Sequence, residues 1–349
     1  MPRVNTSADP GPAASSIGRV VTILDVARAA GVSKSTVSRV LDERLPRSSS
    51  AAAERVRRVA AELGYVRDPL ASGLRRTGTS TVGVIVPRLT DTVVAMLYEE
   101  IAAVATNRGL FAIVATTEDR ADAERIAVDS LVRRRVDGLI LATARLEKRK
   151  RREPAKHPLP YAFALRTDGI GPASIGDDHL GGHLATRHLL DLGHRRIGLV
   201  SGPAYASNAQ GRREGYLQAL TEAGIAIDDS LVAGDSFSME GGEVAGRSLL
   251  DRPDRPTAIF AVNDNTAIGV MAAAHSLGLR IPEDLSLVGY NDIPIVSRLP
   301  VPLTTVRVPF GQIAANALEL LLDNGKTDEP RTLIATPTLI PRRSTAALR

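Results

Sequence analysis

The chain has 349 residues, 44% of them apolar, with no cysteine and a formal net charge of +5. That length and apolar content exclude a disordered chain and support more than one compact unit, while the lack of cysteine excludes disulfides and thiolate metal sites and makes the cytoplasm the expected compartment. The charge is uneven: residues 1–76 carry 13 Lys or Arg against 7 Asp or Glu, and the remainder carries 31 against 32. A basic module on a neutral body points to a polyanionic partner, nucleic acid before membrane, and no run reaches the ~18 apolar residues of a membrane span.

Residues 1–19 are rich in Pro, Ala and Ser and lack the apolar core of a signal peptide, so they read as a flexible tail. In "VTILDVARAAGVSKSTVSRVLD", residues 21–42, Thr22 stands where an N-cap belongs and Asp25 faces the orphan amides three residues on. Val26, Ala27 and Ala30 give the apolar stripe, Gly31 ends the helix, and Ser33 caps a second one. Projected at about 100° per residue, Val37, Val40 and Leu41 share the side that packs on the first helix. Lys34, Ser35, Ser38 and Arg39 occupy the other side within an arc of ~140°. That face is small, polar or basic and carries no acid, whereas a solvated face mixes both signs. Its donors suit a DNA major groove.

Residues 49–65, "SSAAAERVRRVAAELGY", predict a third amphipathic helix with the stripe Val56, Val59, Ala60 and Leu63, ended by Gly64. After Pro69 the turn "LASGLRR" is shorter than the ~12 residues an isolated helix needs, so it is expected to fold only when held. Leu74 suits an apolar wedge in a minor groove, with Arg75 and Arg76 on phosphates.

Beyond residue 80 the runs "TVGVIV", "FAIVA", "DGLILA", "YAFAL", "RIGLV", "AIFAV" and "LSLVGY" alternate with helical stretches. Short continuous apolar runs between helices indicate parallel strands buried on both faces. The result is a doubly wound α/β architecture of roughly 270 residues, more than one core accommodates. Ligands of open parallel sheets bind beyond the strand C-termini. The residues that follow the runs are Asp91, Arg166, Asn208 and Arg212, Asn263 and Asp264, and Asn291 and Asp292. These planar, bidentate groups match vicinal hydroxyls, although each alone could be a helix cap, Asp264 above all.

Other signals are weaker. His179 and His183 stand at i,i+4 in "DDHLGGH", but no Glu follows His179 and paired glycines make a poor ligand helix, so no metal is expected. "GIG" at 169–171 precedes Pro172 rather than a helix, and no nucleophile elbow or Walker sequence is present, so neither cofactor nor catalysis is expected. The basic run 145–156 reads as a solvated helix and loop. A transporter's solute receptor would suit the body alone but not the basic head, and a sugar kinase would need a phosphate loop.

"TILDVARAAGVSKSTVSRVLD", "ERVRRVAAELGY" and "DPLASGLRR" resemble the helix-turn-helix and hinge of the lactose-repressor (LacI/GalR) family of bacterial transcription regulators. The resemblance continues through "RRVDGLIL", "LATRHLLDLGHRRIGLVSG", "AVNDNTAIGV", "IPEDLSLVGYND" and "PLTTVRVP". It implies a DNA-binding domain at 20–67, a hinge at 68–79, and a two-lobed effector-binding and dimerisation domain of periplasmic-binding-protein type at 80–349. The implied lobes are about 80–164 with 293–321, and 165–292 with 322–349, with crossings near 163–166, 290–294 and 320–326. Carried over, Lys34, Ser35 and Arg39 read bases, Thr22, Thr36 and Ser38 contact phosphates, and Leu74 opens the central step. Arg212, Asn263 and Phe237 match effector-contacting positions. The implied partners are a near-palindromic double-stranded operator, a second copy of the chain, and a small effector, a sugar or polyol. Two departures stand out: "DTVV" (Asp91 to Val94) replaces the family's Asn-Pro and paired aromatics, and Asn291 stands where Asp usually follows "VGY".

Overall fold

The computed structural model describes residues 21–42, 46–65, 78–146, 157–323 and 330–348, which fall into two units, 1–77 and 78–349. The tail 1–19, the hinge turn with Leu74, Arg75 and Arg76, and the basic run from residue 147 onward lie outside the described residues.

In the first unit, Asp25 Oδ2 accepts from both the Thr22 N–H (2.9 Å) and the Thr22 hydroxyl (2.6 Å), which starts α1 (Ile23–Ala30). Gly31 ends α1 at φ +64°, a left-handed conformation that glycine adopts without steric penalty. Helix α2 (Lys34–Val40) follows, and α3 (Ala51–Glu62) is capped by Ser50, whose Oγ accepts from the Ala53 N–H at 3.3 Å. Val26, Ala27, Ala30, Val37, Val56 and Ala60 form the core, with Val40, Leu41 and Val59 packed at its edge. Arg55 Nε donates to the Ala30 carbonyl at 3.0 Å and ties α3 to α1. Leu63 departs from the expected stripe: it is the C-cap of α3 and points outward, 39% exposed.

The second unit holds two six-stranded sheets. Lobe 1 has β1 (Thr81–Val86), β2 (Phe111–Thr116), β3 (Gly138–Leu141), β4 (Tyr161–Ala164), β5 (Ala173–Gly176) and β11 (Thr332–Ala335) in the order β11-β5-β4-β3-β1-β2, all parallel. Lobe 2 has β6 (Ile197–Val200), β7 (Val232–Ala233), β8 (Ala258–Ala261), β9 (Ser286–Asn291), β10 (Thr304–Arg307) and β12 (Thr338–Ile340) in the order β12-β10-β9-β8-β6-β7, with only the β10–β12 pair antiparallel. The seven runs expected as strands are β1 to β4, β6, β8 and β9. The central ones, β3, β4, β6, β8 and β9, are buried at every position, as helices on both faces require. Helices α4 (Thr92–Asn107), α5 (Ala121–Arg133) and α10 (Phe310–Asp323) pack on lobe 1, and α6 (Asp178–Asp191), α7 (Ser207–Glu222), α8 (Met239–Leu250) and α9 (Asp264–Ser276) on lobe 2.

The chain crosses between lobes three times, but later than expected. The expected crossings near 163–166, 290–294 and 320–326 precede β5, β10 and β11, whereas the chain crosses after each of these strands, between 176 and 178, 307 and 310, and 335 and 338. Lobe 1 therefore keeps β5 and regains the chain for α10 and β11, and β10 belongs to lobe 2. The displaced strands read "ASIG", "TTVR" and "TLIA", where Ser and Thr interrupt the apolar run that identifies a buried strand.

The glycines of "DDHLGGH" also acquire a role. A Cβ on Gly182 would lie 2.1 Å from the Arg212 carbonyl oxygen, and one on Gly215 would lie 2.0 Å from that of His179. Helices α6 and α7 thus cross backbone to backbone, which seats Arg212 beside the start of α6.

Candidate functional site

Two clusters collect the residues singled out by sequence, one in each unit. On α2, Ser33 Oγ accepts from the Thr36 N–H at 3.1 Å and shares a hydrogen bond with the Thr36 hydroxyl at 2.8 Å. That cap sets Val37 into the core and turns Lys34, Ser35, Ser38 and Arg39 outward, all exposed. None of the four bonds through its side chain to another described residue. Thr22 and Thr36 differ, since their hydroxyls are engaged in the caps that shape α1 and α2.

In the second unit, the strand-end loops converge on one cleft between the lobes, lined by Asp91, Arg166, Asn208, Arg212, Phe237, Asn263 and Asn291. Val93, Val94, Ala142 and Leu165 complete the wall. All seven residues expected at the effector site therefore share it. The aliphatic pair Val93 and Val94 occupies the part of the wall where paired aromatics were expected to be missing.

Arg212 is the anchor, 2% exposed. Its Nε donates to Asp178 Oδ1 at 2.8 Å and its Nη1 to the Val262 carbonyl at 2.7 Å, while the guanidinium lies 3.7 Å from the Tyr290 ring centroid. Burial pushes the Asp178 carboxyl above its ordinary pKa, and the Arg212 charge opposes the shift. Across the cleft, Asp91 caps α4: its Oδ1 accepts from the Val93 N–H at 3.0 Å and from Asn265 Nδ2 of lobe 2 at 3.2 Å. Burial raises the Asp91 pKa as well, against those hydrogen bonds and the charge of Arg166.

Arg166 Nη1 donates to both oxygens of Asp119, at 3.2 and 3.1 Å, and its guanidinium stands 5.3 Å from the Phe237 ring centroid. Asn263 Nδ2 donates to the Phe237 carbonyl at 3.0 Å, and its Oδ1 accepts from the Thr266 N–H at 2.8 Å. Asn263, rather than Asp264, is thus the cap of α9. Asp264 turns away from the cleft, accepting from the Thr305 hydroxyl at 2.6 Å and the Ile293 N–H at 2.8 Å. Asn291, 2% exposed and held at φ +106°, has no hydrogen-bond partner for Nδ2. A buried donor left unpaired is costly, so this amide marks where a ligand oxygen fits.

Sequence reasoning missed Asp178, Asp119, Tyr205 and Asn265, each of which matters through a distant partner. Asp178 carried a local signal, a second acid after the cap Asp177 at the start of a helix. Among the described residues no group of three or more His, Cys, Asp or Glu is placed to hold a metal, and His183 pairs with Glu222 at 2.8 Å.

Residues 22–68 match the bacterial regulatory proteins of the lacI family, and residues 186–345 match the periplasmic binding protein-like domain. The chain is 35% identical over 334 residues to the ribose operon repressor of Haemophilus influenzae, covering 95% of this chain and 100% of that one. It is similar to the lac repressor dimer bound to operator and the anti-inducer ONPF, with a TM-score of 0.80, 28% identity and coverage of 94% and 100%. It is also similar to a LacI-family regulator of Enterococcus faecium with bound ribose, with a TM-score of 0.66, 29% identity and coverage of 77% and 100%.

Proposed function

The chain belongs to the LacI family of bacterial regulatory proteins, and from that premise we propose that it is a dimeric, operator-binding repressor whose hold on DNA is altered by a sugar or polyol bound between its lobes. The observation that carries the effector half is the buried, unpartnered Asn291 amide in a cleft that also holds two arginines. Arg212 commits Nε and Nη1 to the protein and Arg166 commits Nη1, so both offer further N–H donors toward a ligand. Asp91 uses Oδ1 and offers Oδ2 as an acceptor. Planar donors and a carboxylate around a small cleft suit a molecule dense in hydroxyls. The similar ribose operon repressor and the ribose-bound neighbour make D-ribose the first compound to test.

On the DNA side, Arg39 and Lys34 match guanine O6 and N7, and Ser35 and Ser38 suit bases or phosphates. Two such heads on a two-fold dimer read the half-sites of a near-palindrome. Effector binding between the lobes changes operator affinity through the segment that joins body to head, with a coupling of ~1–3 kcal/mol, or roughly 5- to 150-fold. The work of such a protein is done on the chromosome, in the cytoplasm, and requires no chemistry on its ligand.

Anisotropy titration against promoter fragments from the same genome tests the DNA half. Retention of a fragment, with affinity falling steeply as salt rises, is expected of a head that touches several phosphates; no retention at modest ionic strength would overturn it. Calorimetry with D-ribose, other pentoses, hexoses and polyols tests the effector half, and its expected result is one compound that binds and shifts the operator titration.

A further inference from the structure

We infer that Tyr205 and Asp119 form a latch that closes the two lobes over the cleft, and that Asp119, through Arg166, ties closure to occupancy of the cleft. Tyr205 lies in the loop after β6, in lobe 2, and Asp119 in the loop after β2, in lobe 1. The Tyr205 hydroxyl donates to Asp119 Oδ2 at 2.8 Å. Arg145, in the loop after β3 of lobe 1, stacks over the Tyr205 ring at 4.0 Å, forms an ion pair with the Asp119 carboxylate at 3.6 Å and donates to the Asp119 carbonyl. The next residue, Leu146, donates its N–H to the Tyr205 carbonyl at 2.8 Å. One tyrosine of lobe 2 is thus held by a cation, an anion and a backbone amide of lobe 1.

The Asp119 side chain is 18% exposed, so these contacts are partly shielded from water, where a hydrogen bond to a charged group is strongest. Glu118 and Asp119 have φ of +52° and +60°, a backbone region that non-glycine residues occupy at a cost and that functional loops retain. Arg166 is the link to the ligand. It lines the cleft and donates to both oxygens of Asp119, so a ligand oxygen that takes its remaining donors fixes the carboxylate that Tyr205 grips. The link to occupancy rests on the cleft being the effector site; the latch itself does not.

Because the chain has no cysteine, one cysteine at exposed Arg88 of lobe 1 and one at exposed Glu240 of lobe 2 allow specific spin labelling. With labelled chains diluted in unlabelled protein, pulsed electron–electron resonance reads the lobe separation without ligand. Tyr205→Phe keeps the ring over Arg145 but removes the hydrogen bond, and Asp119→Asn keeps the shape but removes the charge. Each is expected to shift the distribution to longer and broader distances, and the double variant to add less than the sum of the two. In calorimetry, Tyr205→Phe is expected to weaken D-ribose binding at least about fivefold. Unchanged distances in both single variants would overturn the latch, and changed distances with unchanged ribose affinity would overturn the coupling through Arg166. Failure of the unsubstituted protein to bind D-ribose or any other tested sugar counts against the effector reading, and the spin-label distances still decide the latch.

Discussion

The head and the cleft use similar side chains in opposite states. On α2, Lys34, Ser35, Ser38 and Arg39 are exposed, and their side chains form no hydrogen bonds with other described residues, so the surface is held ready by the helix beneath it. In the cleft, Arg212, Asn263 and Asp91 are each hydrogen-bonded to the protein, Arg212 to Asp178 behind it and all three to backbone. A reader of DNA meets a long polyanion whose charge supplies much of the affinity, and it can leave its donors in water. A cleft for a small neutral molecule must fix its few donors beforehand, because ordering them on binding would consume the affinity that a small ligand provides.

The comparison breaks most sharply at the arginines. Arg212→Ala leaves Asp178 buried without its cation and is expected to cost about 3–5 kcal/mol of stability in urea denaturation; a loss below 1 kcal/mol would mean that the pair is not structural. Arg39→Ala should cost ~1–3 kcal/mol in operator affinity and leave the unfolding free energy within about 0.5 kcal/mol. The two variants separate folding from recognition, and exchanged phenotypes would reverse the assignment of the two surfaces.

A smaller effect distinguishes the two units by pH. Burial pushes the Asp264 carboxyl from 3.8 up to about 7, opposed by the Thr305 and Ile293 hydrogen bonds. The folded chain therefore prefers the protonated group. Its stabilising contribution is complete below the unfolded value and is lost as pH rises to about 7, with a slope of at most about 1.4 kcal/mol per unit. Asp264→Asn is expected to reduce that slope in denaturation curves recorded between pH 4 and 7, leaving the part due to Asp178 and Asp91. No carboxylate is buried among the described residues of the head, so hydrogen exchange of its amides should not share the slope. The smallest change is Ser33→Ala, which removes the α2 cap at a cost of about 1 kcal/mol. It should appear as faster exchange in α2 with the body unaffected.

Sequence revealed what repeats locally. The head's helices follow from caps and a 3.6-residue period, and seven strands follow from continuous apolar runs. Six of the seven cleft residues were legible because each lies at the end of a strand, in the loop that follows it, or in the first two turns of the next helix, whereas Phe237 was legible only through the family resemblance. The lobe boundaries were not, because β5, β10 and β11 carry Ser and Thr where a buried strand usually shows Val or Ile, and pairing rather than composition makes them strands. The partners that complete the cleft were hidden for a related reason. Asp178 meets Arg212 across 34 positions, Asp119 meets Tyr205 across 86, and Asp91 meets Asn265 across 174. No local period reports such distances.

The glycine-to-carbonyl contact between α6 and α7 has a consequence for redesign. With Gly182 seated against the backbone of Arg212 itself, neighbouring side chains cannot be repacked to move that guanidinium, since any larger residue would force the helices apart. Val93 and Val94 of lobe 1 and Phe237 of lobe 2 also line the cleft. A programme to retune this protein for a new small molecule should therefore treat the arginine as a fixed pin and diversify those three side chains.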